Sequence, residues 1–583
     1  MNPYLLFEFA NEAGITSPKL FTRPIEILET NKHEEVATIF EKVEHALDSG
    51  YYVAGYLSYE AAPAFDPNYK IHNNSTLPLV WFATFENFID ETVFPANQDY
   101  SVSNWHLAST YRDYQTGIKN IKQAIEDGNT YQVNYTARLH AKFFGSDQSF
   151  YHQLARNQRA SYSAYLNTGR YSILSASPEL FFRVSGNKIT TKPMKGTAKR
   201  GRTTKEDQQL IYHLKNSEKE QAENLMIVDL LRNDIGRISK TGSVQVPKLF
   251  DIETYPTVHQ MTTTIEAELE ENTTVFDWFS ALFPCGSITG APKISTMSYI
   301  ASLEQSPREV YCGAVGYITP KREAIFNVPI RTVVIDSDMG TATYGVGGGI
   351  TWDSTVEGEY DELLTKAKLL TEQRQDFKLL ESLRLENGEF PLLSYHLNRL
   401  EDSAEYFQFK IDRVNVIEKL QAYARDHTKE NYKLRLLVDE LGEIKLDGRI
   451  IYPIKEPINC KLAPFAIDVQ NPYVFHKTTR RDHYTILEND NSNIFTTLLW
   501  NKDEELTEFT IGNLVLKIDD EYYTPPINSG LLAGTFRQHL LDKAIIEEKV
   551  LKKTDLQRAD EIWFINSVRG WLKVNLITNE EEL

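Results

Sequence analysis

The sequence predicts an α+β protein of at least two domains, and three observations carry that prediction. A chain of 583 residues is too long for one hydrophobic core, because single domains stop growing near roughly 250–300 residues. Strand-like runs fall in hairpins with long helical patterns grouped between them, which favours α+β over a doubly wound sheet. Between 370 and 380 a helical run, YDELLTKAKLLTEQ, gives way to a strand-like one, FKLLESLRL, and such a change of period marks a boundary. The expected domains are 1–372 and 378–583.

The elements follow in order. LFFRVSGNKITTKP reads as a hairpin over a Ser-Gly-Asn turn, since these residues tolerate the backbone a tight turn needs. Residues 205–236 read as one long helix ending near Asn233, with Gly236 as its stop. Residues 313–352 read as three strands, followed by the helix of YDELLTKAKLLTEQ. Downstream, HLNRLEDSAEYFQF is an amphipathic helix, and KLRLLVD and RIIYPIK are strands.

Composition excludes several classes. Lys+Arg 62 against Asp+Glu 81 gives a net charge of −19, the wrong sign for a nucleic-acid partner. Cys285, Cys312 and Cys460 are too few and too scattered for a disulfide framework or thiolate metal site. They fit a reducing cytoplasm. The start MNPYLLFEFANEAG lacks a signal-peptide pattern, and no apolar run approaches the ~20 residues of a membrane span. The expectation is a cytoplasmic protein with no membrane partner.

Glu220 and Glu223 stand three apart on the predicted long helix, and Glu359 and Glu362 repeat that spacing after GGGITWDSTVEG. Residues three apart share a helix face. Four carboxylates on two helices suit Mg²⁺, which takes oxygen ligands and leaves positions for substrate and water. The same spacing also suits a solvated face, but the apolar run LMIVDLL after Glu223 implies a mostly buried helix. Glu179 precedes a strand, and Lys195 in PMKGT follows the returning one, so a hairpin would bring carboxyl and amine to one sheet end. That pair offers an acid or base beside a nucleophile; a solvated basic loop is the alternative. GSITGAPK (286–293) and GVGGG (345–349) read as glycine loops of neither the phosphate-loop nor the dinucleotide type. Their backbone N–H groups suit a carboxylate as well as a phosphate.

Taken in order, SPELFF, PMKGT, EKEQAENLMIVDLLRND, PTVHQM, GSITGAPK, YCGAVGY, IRTVVID and GGGITWDSTVEGEYDELLTKA resemble the chorismate-utilising enzymes across roughly 110–370. The resemblance implies that family's sheet sandwich with helices, with residues 1–105 as its variable N-terminal part. It implies chorismate as substrate and Mg²⁺ held by Glu220, Glu223, Glu359 and Glu362. Members that hydrate chorismate carry a lysine where this chain has Gln132, which implies ammonia as the nucleophile here. Anthranilate synthases place Ala where Lys195 stands, so Lys195 resembles the covalent nucleophile of the members that aminate C4, with Glu179 as general acid/base. Gly196, Thr197, His259, Thr289, Tyr311, Arg331, Gly347, Gly348, Gly349 and Lys366 are implied substrate binders, and Cys285 is read as packing.

The second region has its own ordered set. Arg399 in HLNRLEDSAEYFQF, Lys477 in HKTTRRDHYT, Glu508 in LTEFTIGNL, Thr535 and Phe536 in GLLAGTFRQ, and Ser567 in FINSVRG resemble the fold-type IV pyridoxal-phosphate enzymes over 378–583. Arg480 and Arg481 stand close enough to Lys477 in sequence to lower its pKa. The resemblance implies a smaller α+β domain with Lys477 as the cofactor-holding lysine. It implies Glu508 at the pyridine nitrogen, and Arg399, Thr535, Phe536 and Ser567 at the phosphate. Together the two halves imply chorismate amination followed by pyruvate elimination to 4-aminobenzoate. A separate glutamine amidotransferase subunit is expected as ammonia source, and a homodimer through the C-terminal domain is a further expectation. Two alternatives stay open: an anthranilate synthase component I fused to an aminotransferase-like domain, or a non-catalytic C-terminal domain serving dimerisation.

Overall fold

Two large antiparallel sheets build the first part of the chain. The computed structural model describes residues 3–90, 98–372, 374–487 and 493–577. Cα proximity divides the chain into two units, 1–199 with 211–374, and 200–210 with 375–583. The second unit therefore takes residues 200–210 from the middle of the expected first domain.

In the first unit, one ten-stranded sheet carries β1 (Gln132–Gly145). The other carries β2 (Leu180–Ser185), β3 (Lys188–Lys192), β4 (Met194–Lys199) and β5 (Val258–Glu268). β2 and β3 form the expected hairpin, with Ser185 opposite Lys188. Gly186 takes φ +60° in the turn, where glycine lacks the Cβ penalty.

The long helix is two helices. Thr204–Lys215 stops before Asn216, and α1 (Glu218–Gly236) restarts after Ser217, whose side chain accepts from the Glu220 amide. Ser217 is an N-cap, and its hydroxyl competes better for that amide than a continued helix does. Ile227, Val228, Leu231 and Ile235 of α1 are buried in the main core with Phe182, Phe279 and Phe326. Each such side chain contributes about 1.5–3 kcal/mol relative to exposure.

Residues 313–352 form four strands rather than three, ending in β6 (Thr341–Ile350). The run GVGGG is therefore strand, paired with β1 from Gly345↔Arg138 to Gly349↔Asn134. A β-carbon on Gly345 would meet the Tyr311 ring at 2.3 Å, and one on Gly347 the Tyr135 carbonyl at 2.1 Å. Close packing, not a loop, accounts for these glycines. α2 (Val356–Ala367) follows, capped by Thr355.

The second unit opens with β7 (Leu379–Leu385) and α3 (Leu393–Phe407). β8 (Tyr432–Val438) and β9 (Ile444–Ile450) complete a three-stranded sheet in the order β7-β8-β9. The expected strand RIIYPIK lies mostly beyond β9, because a turn at Gly442, φ +89°, starts the return strand at Ile444. An eight-stranded mixed sheet includes β10 (Leu506–Phe509), β11 (Gly512–Ile518), β12 (Glu561–Asn566) and β13 (Gly570–Ile577). α4 (Thr535–Asp542) sits between β11 and β12 in sequence. No helix among the described residues is long and apolar enough to cross a membrane.

Candidate active sites

Lys195 sits where the pairing of β4 with β5 slips between Met194 and Thr197. A bulge re-aims a side chain out of the regular pleat, and Lys195 lines a cavity of about 210 Å³. Gly196 follows at φ +88°, and a β-carbon there would stand 3.0 Å from Glu220 Oε2. Only glycine meets both demands. Lys195 Nζ is 3.7 Å from Glu223 Oε1, which also accepts from Gln132 Nε2 at 2.6 Å. Gln132 Oε1 is buried with no hydrogen-bond partner among the described residues.

Glu179 is 3% exposed just before β2. Ser287 Oγ donates to its Oε1 at 2.5 Å. Burial pushes the Glu179 carboxyl up to about 7, against the Ser287 hydrogen bond and the Lys195 charge, which hold it lower. Such a group carries a proton near neutrality, as a general acid must. Cys285 Sγ lies 3.2 Å from Ser287 Oγ, and burial pushes its thiol up to about 12. A thiol that stays protonated is a poor nucleophile.

α1 presents Glu220 and Glu223, and α2 presents Glu359 and Glu362, to the same cavity. Burial, then neighbouring carboxylates, raises Glu220; burial also raises Glu359 despite a 2.6 Å hydrogen bond from Ser354 Oγ. Lys366 lowers Glu362 across a 2.8 Å ion pair. Five carboxyl groups and four basic side chains line this wall. That excess of hard oxygen donors fits a Mg²⁺ ion completed by substrate and water. Among the described residues, no three His, Cys, Asp or Glu are gathered as a preformed metal cluster.

Tyr311, Arg331, Lys366, Gly196, Thr197 and Gly347 to Gly349 also line the cavity. Beyond Tyr344, β6 pairs with β1 alone among the described residues, and Lys366 Nζ donates to its Gly347 carbonyl at 2.8 Å. Two expected binders do not reach the cavity. His259 is fully buried and its Nδ1 meets Thr254 Oγ1 at 3.0 Å. Thr289 is fully buried and donates to the Cys285 carbonyl at 3.1 Å. Strand alternation explains the first: on β5 it is Gln260 that lines the cavity, donating to the Gly196 carbonyl at 3.0 Å. Ser287, Gln260, Lys219 and Asn134 line the cavity without having been expected. Ser287, Gln260 and Lys219 lie within motifs already singled out, in GSITGAPK, PTVHQM and EKEQAENLMIVDLLRND; Asn134 does not.

A second cavity, about 500 Å³, gathers Lys477, Arg399, Glu508, Thr535, Phe536 and Ser567. The Lys477 carbonyl accepts from Leu380 N at 3.0 Å, tethering this segment to β7. Lys477 Nζ has no hydrogen-bond partner among the described residues, and burial, then Arg399 and Arg481, lower it to about 7. Arg399, not Arg480, is the second influence. Arg399 clasps Glu381 through Nε at 2.8 Å and a terminal nitrogen at 2.7 Å, and donates to the Ala533 carbonyl at 3.0 Å. Five donors less three leave two for a ligand. Gly534 is the N-cap of α4 and supplies no side-chain cap, so the first amides of the helix are free to meet an anion. A β-carbon on Gly534 would meet Asn513 Oδ1 at 1.8 Å. Ser567 Oγ donates to the Ser382 carbonyl at 3.0 Å.

Glu508 is 3% exposed and accepts from Tyr484 Oη at 2.6 Å and Leu532 N at 3.2 Å. Burial raises it to about 7. A phosphate cradle, an unpaired amine and a buried carboxyl suit pyridoxal phosphate.

Residues 90–372 match the chorismate binding enzymes, and residues 378–577 match the amino-transferase class IV family. The chain joins a chorismate-binding domain to a class IV aminotransferase domain. Such enzymes generally use Mg²⁺ and pyridoxal phosphate respectively. The chain is 37% identical over 303 residues to aminodeoxychorismate synthase component 1 of Escherichia coli (strain K12), covering 52% of this chain and 65% of that protein. It is 38% identical over 268 residues to anthranilate synthase component 1 of Aquifex aeolicus, covering 46% of this chain and 54% of that protein. The chain thus spans less than two thirds of either relative. The structure of anthranilate synthase component I from Streptococcus pneumoniae TIGR4 shares the fold, at 24% identity and a TM-score of 0.52, over 63% of this chain and 90% of that one.

Proposed function

We propose that the chorismate-binding domain aminates chorismate at C4 with ammonia, and that the aminotransferase-like domain removes pyruvate to leave 4-aminobenzoate. Lys195 carries this reading. Identity does not separate the two kinds of relative, at 37% and 38%, but anthranilate synthases place alanine at this position. A relative called component 1 also favours a separate glutamine amidotransferase as ammonia source.

In the first site, Lys195 attacks C2 of chorismate, both ring double bonds shift, and the C4 hydroxyl leaves as water on protonation by Glu179. Ammonia then enters at C4, both double bonds shift back, and the C2–N bond breaks to release Lys195. Splitting one substitution into two lowers each barrier. Glu220, Glu223, Glu359 and Glu362 would hold Mg²⁺, which supplies positive charge for a substrate carboxylate. Arg331 and Lys366 offer fixed charge to the dianion.

In the second site, Lys477, Arg399, Glu508, Thr535, Phe536 and Ser567 would hold pyridoxal phosphate. When bound, the cofactor supplies an electron sink. Lys477, poised near neutrality, takes the proton from the amine-bearing ring carbon. It returns a proton to the enolpyruvyl group as the C3–O bond breaks, giving pyruvate and the aromatic ring. Glu508 would stand at the cofactor's pyridine nitrogen and hold a proton there.

The test is to incubate the pure chain with chorismate, Mg²⁺ and an ammonium salt and identify the products. 4-Aminobenzoate with pyruvate supports both steps. Anthranilate would overturn the first, and accumulating 4-amino-4-deoxychorismate the second.

A further inference from the structure

We propose that the open face of the β7-β8-β9 sheet is a subsite for a second anionic group of the substrate, built from Lys433, Arg435 and Arg449. This rests on the second reaction proposed above and specifies its substrate class: an amine carrying two carboxylates, not a monocarboxylate amino acid.

Alternation assigns the faces. On β8, Leu434, Leu436 and Val438 are buried in the core, while Lys433 and Arg435 point the other way. Register sets Lys433 between Arg384 on β7 and Arg449 on β9, and sets Arg435 between Ser382 and Asp447. Three cations therefore stand in one row across three strands. Like charges directly opposite one another destabilise a sheet, so ordinary sheet packing gives no reason for this row. Arg384 has Glu386 at 3.1 Å. Lys433, Arg435 and Arg449 form no ion pair within 4.0 Å among the described residues, and Asp447 is the single carboxylate on their part of the face.

The same three side chains line the cavity that holds Lys477, as does Arg569 from the β12–β13 turn. The connection is short. Leu380, whose amide bonds the Lys477 carbonyl, shares its face of β7 with Ser382, and Ser382 is the cross-strand neighbour of Arg435. Burial, then Arg435, Arg569 and Arg449, lower the Lys433 amine, a crowding that an incoming anion relieves. The phosphate cradle uses Arg399 and α4, leaving this second cluster unclaimed. Guanidinium forks match carboxylates in two-point contact. A dianion with one carboxylate on the ring and another on the enolpyruvyl arm has that extra group to offer.

The full-length chain loaded with pyridoxal phosphate provides the test, with the cofactor's visible circular dichroism reporting on this site alone. Chorismate, a dianion without the reacting amine, is titrated in Mg²⁺-free buffer beside 4-aminobenzoate, a monoanion. Lys433→Gln with Arg449→Gln should weaken chorismate by about tenfold or more and 4-aminobenzoate by less than about threefold. The ligand-free double variant should melt no lower than the parent, because it removes a like-charge pair. Lys433→Arg with Arg449→Lys keeps the charges and should retain chorismate affinity within about threefold. Chorismate affinity within about twofold of the parent in the glutamine variant, or equal weakening of both ligands, would overturn the subsite. If the parent releases no 4-aminobenzoate from 4-amino-4-deoxychorismate, the reaction reading fails, while the affinity ratio still decides the subsite.

Discussion

Ser287 donates its hydroxyl proton to Glu179 at 2.5 Å, inside a wall where burial lifts that carboxyl to about 7. The two effects oppose each other. Ser287 favours the carboxylate and burial favours the acid, so the hydroxyl tunes the pH range over which Glu179 can give up a proton.

Removing Ser287's hydroxyl should therefore raise the Glu179 pKa further. In Ser287→Ala the alkaline limb of the pH–kcat/KM profile for amination should move to higher pH. A limb that stays in place would show that Glu179 is not the titrating acid.

Glu179 should also cost stability. Its folded pKa, about 7, lies above the unfolded value of 4.5, so the folded state keeps a proton that the unfolded state releases. Stability contributed at low pH is lost as pH rises from 4.5 through 7. Glu179→Gln should remove that loss, gaining up to about 3 kcal/mol at pH 8 relative to pH 4, while amination falls by roughly 100-fold or more. Denaturant unfolding at both pH values checks the first, and product analysis the second.

Lys195→Ala should abolish formation of 4-amino-4-deoxychorismate or divert it to fluorescent anthranilate. Full-rate C4 amination by this variant would rule out the covalent role.

Gly349→Ala tests the close fit around that lysine. A β-carbon would stand 2.1 Å from Gln132 Nε2 and 3.2 Å from Lys195 Nζ. Displacing either should lower amination by about tenfold or more, with little change in elimination of pyruvate from supplied 4-amino-4-deoxychorismate.

Lys477→Ala should lose the visible absorbance of bound pyridoxal phosphate and its borohydride fixation to the chain, while chorismate amination persists. Because Lys477 is lowered to about 7, its neutral fraction rises through pH 7. Cofactor loading of the parent should accelerate over the same range, followed by stopped-flow absorbance.

Much of this protein was legible in its sequence. PMKGT, the paired glutamates and the ordered motifs of the second region single out side chains that line the two cavities, among them Lys195, Glu220, Glu359, Lys477 and Glu508, because local chemistry and spacing survive translation into space. The errors share one character. GVGGG looked like a loop, yet its glycines let a strand pass Tyr311 and Tyr135. His259 stood one residue from Gln260, and strand alternation put only the latter in the cavity.

An α+β chain in two parts follows from length and period alone. The change of period and the two motif sets underlie the proposed order of the two reactions and single out Lys195 and Lys477. Tertiary structure decided which neighbours each of them has. The β4 bulge aims Lys195, burial sets Glu179, Lys477 and Glu508 near neutrality, and register aligns Arg384, Lys433 and Arg449 in one row. Desolvation and cross-strand contact depend on residues far apart in the chain, and only the folded state brings those together.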